Sequence, residues 1–479
     1  MKKGIFSNFK FSQNAILFAL SMIGYIAYCA VVIPQKVPFC DEVNAWNISQ
    51  NCSLTELFTV SRREGHFILW YLLLKPFSLG NIGFLWSMYV VNWVFAFSAV
   101  LLLWKKAPFN PWLKVFITFS LPVQMFSVYA RCYAIGMLAL FAICALYPKR
   151  KTSPVLYPLL IILLANTSVV GCMAAFVFGL LYCYEAGLDL QASKITLKDL
   201  QKPFIVFTLG SVFILLQMAF FRLPFYSTTG WVHTKFFMFF RMDDYKPRNI
   251  VIILQPILLL LGFVFFQKDK KPCFFVLLTT GALLLLGYTF YSFEPWHYTF
   301  IYLFFVCAMW IYLQEYKLTG VWQKTYYALF FVLSFLTIFY FKFPWHWGGF
   351  YVPTSEYIKE NMEQYRGAKI FLFPTDAGIT GIVPMLKDYD IEFYGSHGTS
   401  YNSCETYIHQ WDAQRVDFDA IKKELQKEPE KEAFLFIPTV ESWKRDPMHF
   451  FRLYDQYNAG IKVSYFWHTD DVMIFKLSL

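Results

Sequence analysis

The strongest constraint on this 479-residue chain is a recurrence of apolar runs, each roughly 17–25 residues long, the length a bilayer demands of a helix. Hydrophobic residues make up 57% of the chain and charged residues 15%. A water-soluble fold cannot hide that much apolar surface. Hydropathy therefore predicts an all-α polytopic membrane protein with about eleven transmembrane helices. They fall at roughly 14–34, 84–104, 114–130, 132–148, 154–165, 168–184, 204–221, 249–266, 272–290, 298–314 and 324–342. Met1-Lys2-Lys3 and Lys10 precede the first span and no A-x-A site follows it, so that span is expected to stay in place.

Charge placement orients the spans. Lys105, Lys106, Lys149, Arg150, Lys151, Lys198, Lys268, Lys271 and Lys324 fall in alternate loops. By the positive-inside rule those loops are cytoplasmic, and an odd number of spans puts the C-terminus outside. The net charge of +10 thus follows the membrane, and nothing in it implies a nucleic-acid partner. Arginine breaks the pattern. Of seven arginines before residue 343, six (Arg62, Arg63, Arg131, Arg222, Arg241 and Arg248) are expected on the outer face. A planar guanidinium fork suits phosphate oxygens, so an anionic ligand is expected there.

Two domains are expected. Residues 1–342 form the transmembrane module. From 343–479, after the junction Phe343-Pro344-Trp345-His346-Trp347-Gly348-Gly349, the pattern is that of a small extra-cytoplasmic α/β domain. Strands are predicted at Lys369–Phe373, Ile391–Tyr394, Ala433–Ile437, Lys462–Trp467 and Val472–Leu477. Helical stretches are predicted at Ser355–Gln364, Gly378–Leu386 and Phe418–Gln426. The first outer loop, residues 35–83, is expected to carry juxtamembrane helices over Asn44–Phe58 and Phe67–Leu74, the second ending at Lys75-Pro76. Cys40 and Cys52 share that loop and could be disulfide-bonded, the outer side being oxidising.

Four groups of residues could carry chemistry. The first outer loop holds Asp41-Glu42 and Arg62-Arg63-Glu64-Gly65-His66. The plain reading is an exposed ion pair, worth little; the chemical one is a base or a cation ligand at a membrane surface. Arg131 lies between Tyr129 and Tyr133 where the third and fourth spans meet, either as a snorkelling anchor or as a buried cation with a partner. Glu294-Pro295-Trp296-His297 turns into the tenth span. The loop 222–248 carries His233, Lys235, Arg241, Asp243, Asp244 and Arg248, and could gate or hold a phosphate headgroup. Among non-enzymatic readings the main rival is a transporter or flippase of a lipid-linked or anionic substrate. That reading predicts inverted repeats and mid-bilayer charges, and no repeat is evident.

An Asp-Glu pair just after the first span, the stretch Gly65-His66-Phe67-Ile68-Leu69-Trp70-Tyr71-Leu72 and the segment Ala130-Arg131-Cys132-Tyr133-Ala134 together resemble the integral-membrane GT-C glycosyltransferases. The branch they resemble contains the protein O-mannosyltransferases and the aminoarabinose–lipid A transferase. The resemblance covers about residues 10–345. Where that family commonly has His-Pro-Pro-Leu, this chain has His66-Phe67-Ile68-Leu69. It implies an inverting transfer of a sugar from a polyprenyl-phosphate donor to a glycan, lipid or protein acceptor on the outer face of a bacterial inner membrane. Asp41 matches the base, with Glu42 beside it. Arg131, then His297, with Arg62 and Arg63 as alternatives, would bind the donor phosphate. Glu64, His66, Tyr133, Trp296, Lys235 and Arg241 would position substrate. Some members use a divalent metal, which Asp41 and Glu42 could hold; no other cofactor is implied. A non-catalytic relative is the remaining alternative.

Overall fold

The computed structural model describes residues 13–36, 38–64, 66–79, 84–218, 254–262, 268–289, 295–339, 351–373, 381–386, 388–395, 397–403, 406–407, 416–438, 460–468 and 472–479. The chain divides into two compact units. One comprises Met1–Pro34, Asn92–Leu216 and Phe225–Phe343; the other comprises Gln35–Val91, Gln217–Pro224 and Pro344–Leu479.

The first unit is helical. Among the described residues, five helices are long and apolar enough to cross a membrane: Gln13–Gln35, Ser87–Lys106, Val169–Gln191, Lys271–Thr289 and Trp296–Glu315. The other six expected spans fall on shorter or more polar helices or run into residues outside the described set, so the full count of eleven is not established. The clearest departure is 114–130. That apolar run is two helices, α6 (Pro111–Thr118) and α7 (Leu121–Val128). The chain breaks at Phe119-Ser120, where Ser120 precedes a helix start with Pro122 in its first turn and the Gln124 amide bonds the Phe119 carbonyl. Proline lacks the N–H that a continuous helix would need there.

Burial sorts the helices. Every residue from Phe300 to Tyr312 is buried, which makes Phe300–Glu315 the unit's central helix. It is apolar all round, as such a position demands. Phe204, Ile205, Leu209, Val212 and Leu215 on Gln201–Met218 are exposed, as are Ile16, Leu20 and Ile23 on Gln13–Gln35. Those faces suit lipid rather than water.

One end of this unit holds a buried ionic network. Arg150 bonds Glu185 through Nε (2.5 Å) and Nη2 (2.9 Å), and Glu315 through Nη1 (3.2 Å). Its guanidinium carbon lies 3.8 Å from the centre of the Tyr147 ring. Lys271 reaches Glu185 and Asp269, and Lys151 pairs with Asp189. Arg150 and Lys271, read from sequence as ordinary cytoplasmic charges, are thus linking elements between helices.

The second unit joins the first outer loop to the tail. Its loop helices are α2 (Cys40–Asn51), α3 (Leu54–Glu64) and α4 (Leu69–Leu79). The single interfacial helix expected over Asn44–Phe58 is instead broken at Cys52-Ser53. There Ser53 and Glu56 cap each other, Ser53 N–H to Glu56 Oε2 at 2.7 Å and Glu56 N–H to Ser53 Oγ at 3.3 Å. Nor does Lys75-Pro76 end α4, which carries Pro76 internally and runs to Leu79. Buried Trp70, Tyr71 and Leu74 supply the packing that tolerates the lost hydrogen bond.

The tail forms a five-stranded sheet of order β2-β1-β3-β5-β4. Its strands are β1 (Lys369–Leu372), β2 (Glu392–Gly395), β3 (Ala433–Pro438), β4 (Lys462–His468) and β5 (Val472–Ser478). β1 pairs in parallel with both β2 and β3, β5 runs antiparallel to β3, and β4 closes a hairpin on β5. β1 is buried along its whole length, the pattern of a strand covered on both faces. One face packs Phe371, Leu435 and Phe475 against Phe418, Ile421 and Leu425 of the helix Phe418–Leu425. On the other, Tyr365 lies 4.9 Å from the Phe434 ring. Within this unit Asn51 of α2 donates to the Tyr401 carbonyl at 3.1 Å, so loop and tail pack as one body.

Candidate functional site

Asp41 and Glu42 open α2, in the turn where a helix's free N–H groups favour negative charge. Their fates differ. Asp41 is half-buried. Glu42 is fully buried, and its Oε2 accepts from three donors: the Lys36 ammonium, the Phe39 backbone N–H at 2.6 Å and the Tyr89 hydroxyl at 3.3 Å. Through the Phe39 contact the Glu42 carboxylate meets a free N–H at the start of its own helix. Lys36 also donates to the Tyr89 hydroxyl at 3.1 Å, with its ammonium 5.0 Å from the Tyr89 ring centre. Its side chain is 4% exposed, so this pair is shielded from water. A carboxylate already neutralising an ammonium is a poor ligand for a dication. Among the described residues no group of three or more His, Cys, Asp or Glu side chains is placed to hold a metal. The Asp41–Glu42 pair therefore does not fit a divalent ion.

The far end of α2 is tied by a second lysine. Lys75 of α4 donates to the Ser49 carbonyl at 3.0 Å and to that of Cys52, meeting carbonyls the helix leaves open. Desolvation pulls the Lys75 amine below its ordinary pKa, and Glu56 opposes that fall. Cys52 is disulfide-bonded, while the Cys40 side chain expected to join it lies outside the described set. Asn47, in a glycosylation-type sequon, is 2% exposed within α2, leaving no room for a glycan.

In the first unit the structure brings Tyr133, Trp296 and His297 together, with Arg131 in the turn just before Tyr133. The chain turns between α7 and α8 (Tyr133–Leu146), with the Arg131 N–H donating to the Tyr129 carbonyl at 2.8 Å. Arg131 is 3% exposed, so it is a buried cation rather than a snorkelling anchor. Tyr133 begins α8, and its hydroxyl is hydrogen-bonded to His297 Nε2 at 3.0 Å, with the two rings perpendicular. Trp296 packs on Tyr129 with ring centres 5.5 Å apart. Trp296 and His297 lie in the short helix Pro295–Tyr298, which leads into the central helix. A buried guanidinium, and an imidazole held by a phenol, are each groups that can meet negative charge.

Other expected residues are placed less fully. His66 is half-buried just ahead of α4. Arg62, Arg63 and Glu64 lie in the last turn of α3, their side chains outside the described set. Lys235, Arg241 and Glu294 lie outside the described residues. Sequence reasoning missed Lys36 and Tyr89. A lysine after a long apolar helix reads as a boundary marker, and Tyr89 as a span residue.

No family model matches the chain, and no curated protein matches it in sequence. Among solved structures it is similar to ArnT from Cupriavidus metallidurans, determined bound to undecaprenyl phosphate. The TM-score is 0.55 at 10% identity, over 96% of this chain and 97% of that one. The chain has the ArnT fold. At that identity the likeness is one of architecture alone, and it takes in the tail as well as the helical region. The helical region with a small α/β tail expected from the sequence is thus the architecture this chain shares with that structure.

Proposed function

We propose that this protein is a glycosyltransferase that moves a sugar from a polyprenyl-phosphate donor to a cell-envelope acceptor at the outer face of the cytoplasmic membrane. The observation that carries the reading is the fold shared over 96% of the chain with ArnT, whose structure holds undecaprenyl phosphate. The expected chemistry needs a base and a cationic phosphate site. Asp41 is the base: half-exposed, it can reach an acceptor hydroxyl, whereas Glu42 is occupied by Lys36. Asp41 takes the hydroxyl proton as the acceptor oxygen bonds to the anomeric carbon, with inversion. The bond from that carbon to the phosphate oxygen breaks, and polyprenyl phosphate leaves with the electron pair. Arg131 takes up the growing phosphate charge, and His297, oriented by Tyr133, assists.

The test is reconstitution in liposomes with a panel of undecaprenyl-phosphate-linked hexoses and pentoses and an envelope extract as acceptor, scored by release of undecaprenyl phosphate. Wild type should release it. Asp41→Asn should lose roughly 10²–10⁴ of that rate, the usual worth of a general base. Full activity in Asp41→Asn would remove the assignment of the base. Movement of intact donor across the bilayer without cleavage would favour a flippase.

A further inference from the structure

The base itself has a support that the motif reading does not contain. We infer that Lys36 is a positioning residue for Asp41, acting through Glu42. This rests on the reading of Asp41 as the base.

The argument begins with a cost. Burying an ammonium and a carboxylate together gains little over an apolar pair of the same volume, because both ions lose their water. Here the pair is 4% and 0% exposed, so stability alone is a weak reason for it. What the pair does supply is direction. Three donors arrive at the single atom Glu42 Oε2 from three parts of the unit: Lys36 before α2, Phe39 at its cap and Tyr89 far along the chain. Together they restrict rotation of the first turn about its axis. Asp41 is the preceding residue, about 100° away around the helix. With Glu42 pinned inward, Asp41 is held at the half-exposed edge. Lys75 ties the other end of the same helix to α4, so α2 is tethered at both ends. Misplacing a reacting group by about 1 Å can cost roughly 100-fold in rate. A buried charge pair beside the base is a reasonable device against that.

The experiment compares the full-length protein with Lys36→Met, Glu42→Gln, Lys36→Arg and the double variant Lys36→Met/Glu42→Gln. Lys36→Met alone strands a buried carboxylate and should lower the melting temperature. The double variant removes both charges at similar volume and should recover it. A positioning role then gives a specific split. The double variant should stay about 10- to 100-fold low in kcat with the donor KM within about twofold. Lys36→Arg, keeping the charge, should regain part of that loss. Recovery of wild-type kcat along with the melting temperature would overturn the proposal by making the pair merely structural. Hydrogen exchange over residues 40–44 provides a readout independent of turnover. Exchange should speed up by about tenfold or more in the double variant, as a loosened turn requires. Unchanged protection there would also overturn it. If wild type releases no undecaprenyl phosphate, the functional reading fails, and the exchange result still decides whether Lys36 holds the turn.

Discussion

Arg150 grips Glu185 with two guanidinium bonds of 2.5 and 2.9 Å although the two residues are 35 positions apart. The pair joins the end of one helix hairpin to the next, and Glu315 and Lys271 add the central helix and Lys271–Thr289. Glu185→Gln should cost about 3 kcal/mol, because it leaves a buried guanidinium under-compensated. Replacing both residues by methionine should cost much less. Thermal unfolding in detergent measures both. Equal losses in the two variants would show that the charges do not act as a pair.

Glycine contrasts within one helix check the packing of α10 (Val169–Gln191). A Cβ on Gly171 would lie 2.3 Å from Thr167 Oγ1 and 2.5 Å from the Leu164 carbonyl oxygen. The second contact is backbone and cannot swing away. Gly171→Ala should destabilise by about 1–3 kcal/mol, the usual cost of overpacking. Gly179 has open space at the same position. Gly179→Ala should stabilise by up to about 1 kcal/mol through helix propensity. Melting temperatures moving the same way in both variants would contradict this packing.

Acid should loosen the tail sheet. Lys369 is fully buried and bonds Glu428 at 2.9 Å and Glu424 at 3.3 Å. The bonds from Lys369 and Lys431 pull the Glu428 carboxyl below its ordinary pKa. Glu424 is lowered too: burial alone would raise it, but the bonds from Lys427 and Lys369 outweigh that. A carboxyl depressed in the folded state adds stability above its unfolded pKa of about 4.3 and loses it as pH falls through the folded value. The melting temperature should therefore fall with pH below about 4.5. Lys369→Met should flatten that fall. A slope unchanged by Lys369→Met would locate the acid sensitivity elsewhere.

The Tyr133 hydroxyl orients His297, so Tyr133→Phe should leave the fold intact and lower undecaprenyl phosphate release. The loss should be about tenfold, less than the 10²–10³ typical of a group touching the transition state itself. Arg131→Ala should be worse than Tyr133→Phe, because Arg131 is the proposed direct phosphate contact. The reverse ranking, measured as kcat/KM on the same donor, would move the phosphate role from Arg131 to His297.

Much of this architecture was legible before any coordinates. All five tail strands were read within a residue or two, because each is a short aromatic or β-branched run closed by turn residues. The α6–α7 break was not: Ser120 and Pro122 mark a helix start, but mean hydropathy over a span-length window passes over them. Of the candidate site, Arg131, Tyr133, Trp296 and His297 could be chosen by type and place in the span order. Their assembly could not: the Tyr133–His297 bond spans 164 positions.

The sequence by itself determined a membrane-embedded helical chain with a small α/β tail, because span length and strand period are local properties written in consecutive residues. It also determined which acids and cations stood near span ends. Only the tertiary structure decided what each charge does. Glu42 and Asp41 are chemically near-identical neighbours, yet Glu42 is buried on Lys36 and Tyr89 while Asp41 stays at the half-exposed edge. Arg150 reads as a loop charge and is the centre of a buried network. Burial and pairing are set by residues distant in the chain, and no local pattern carries that information.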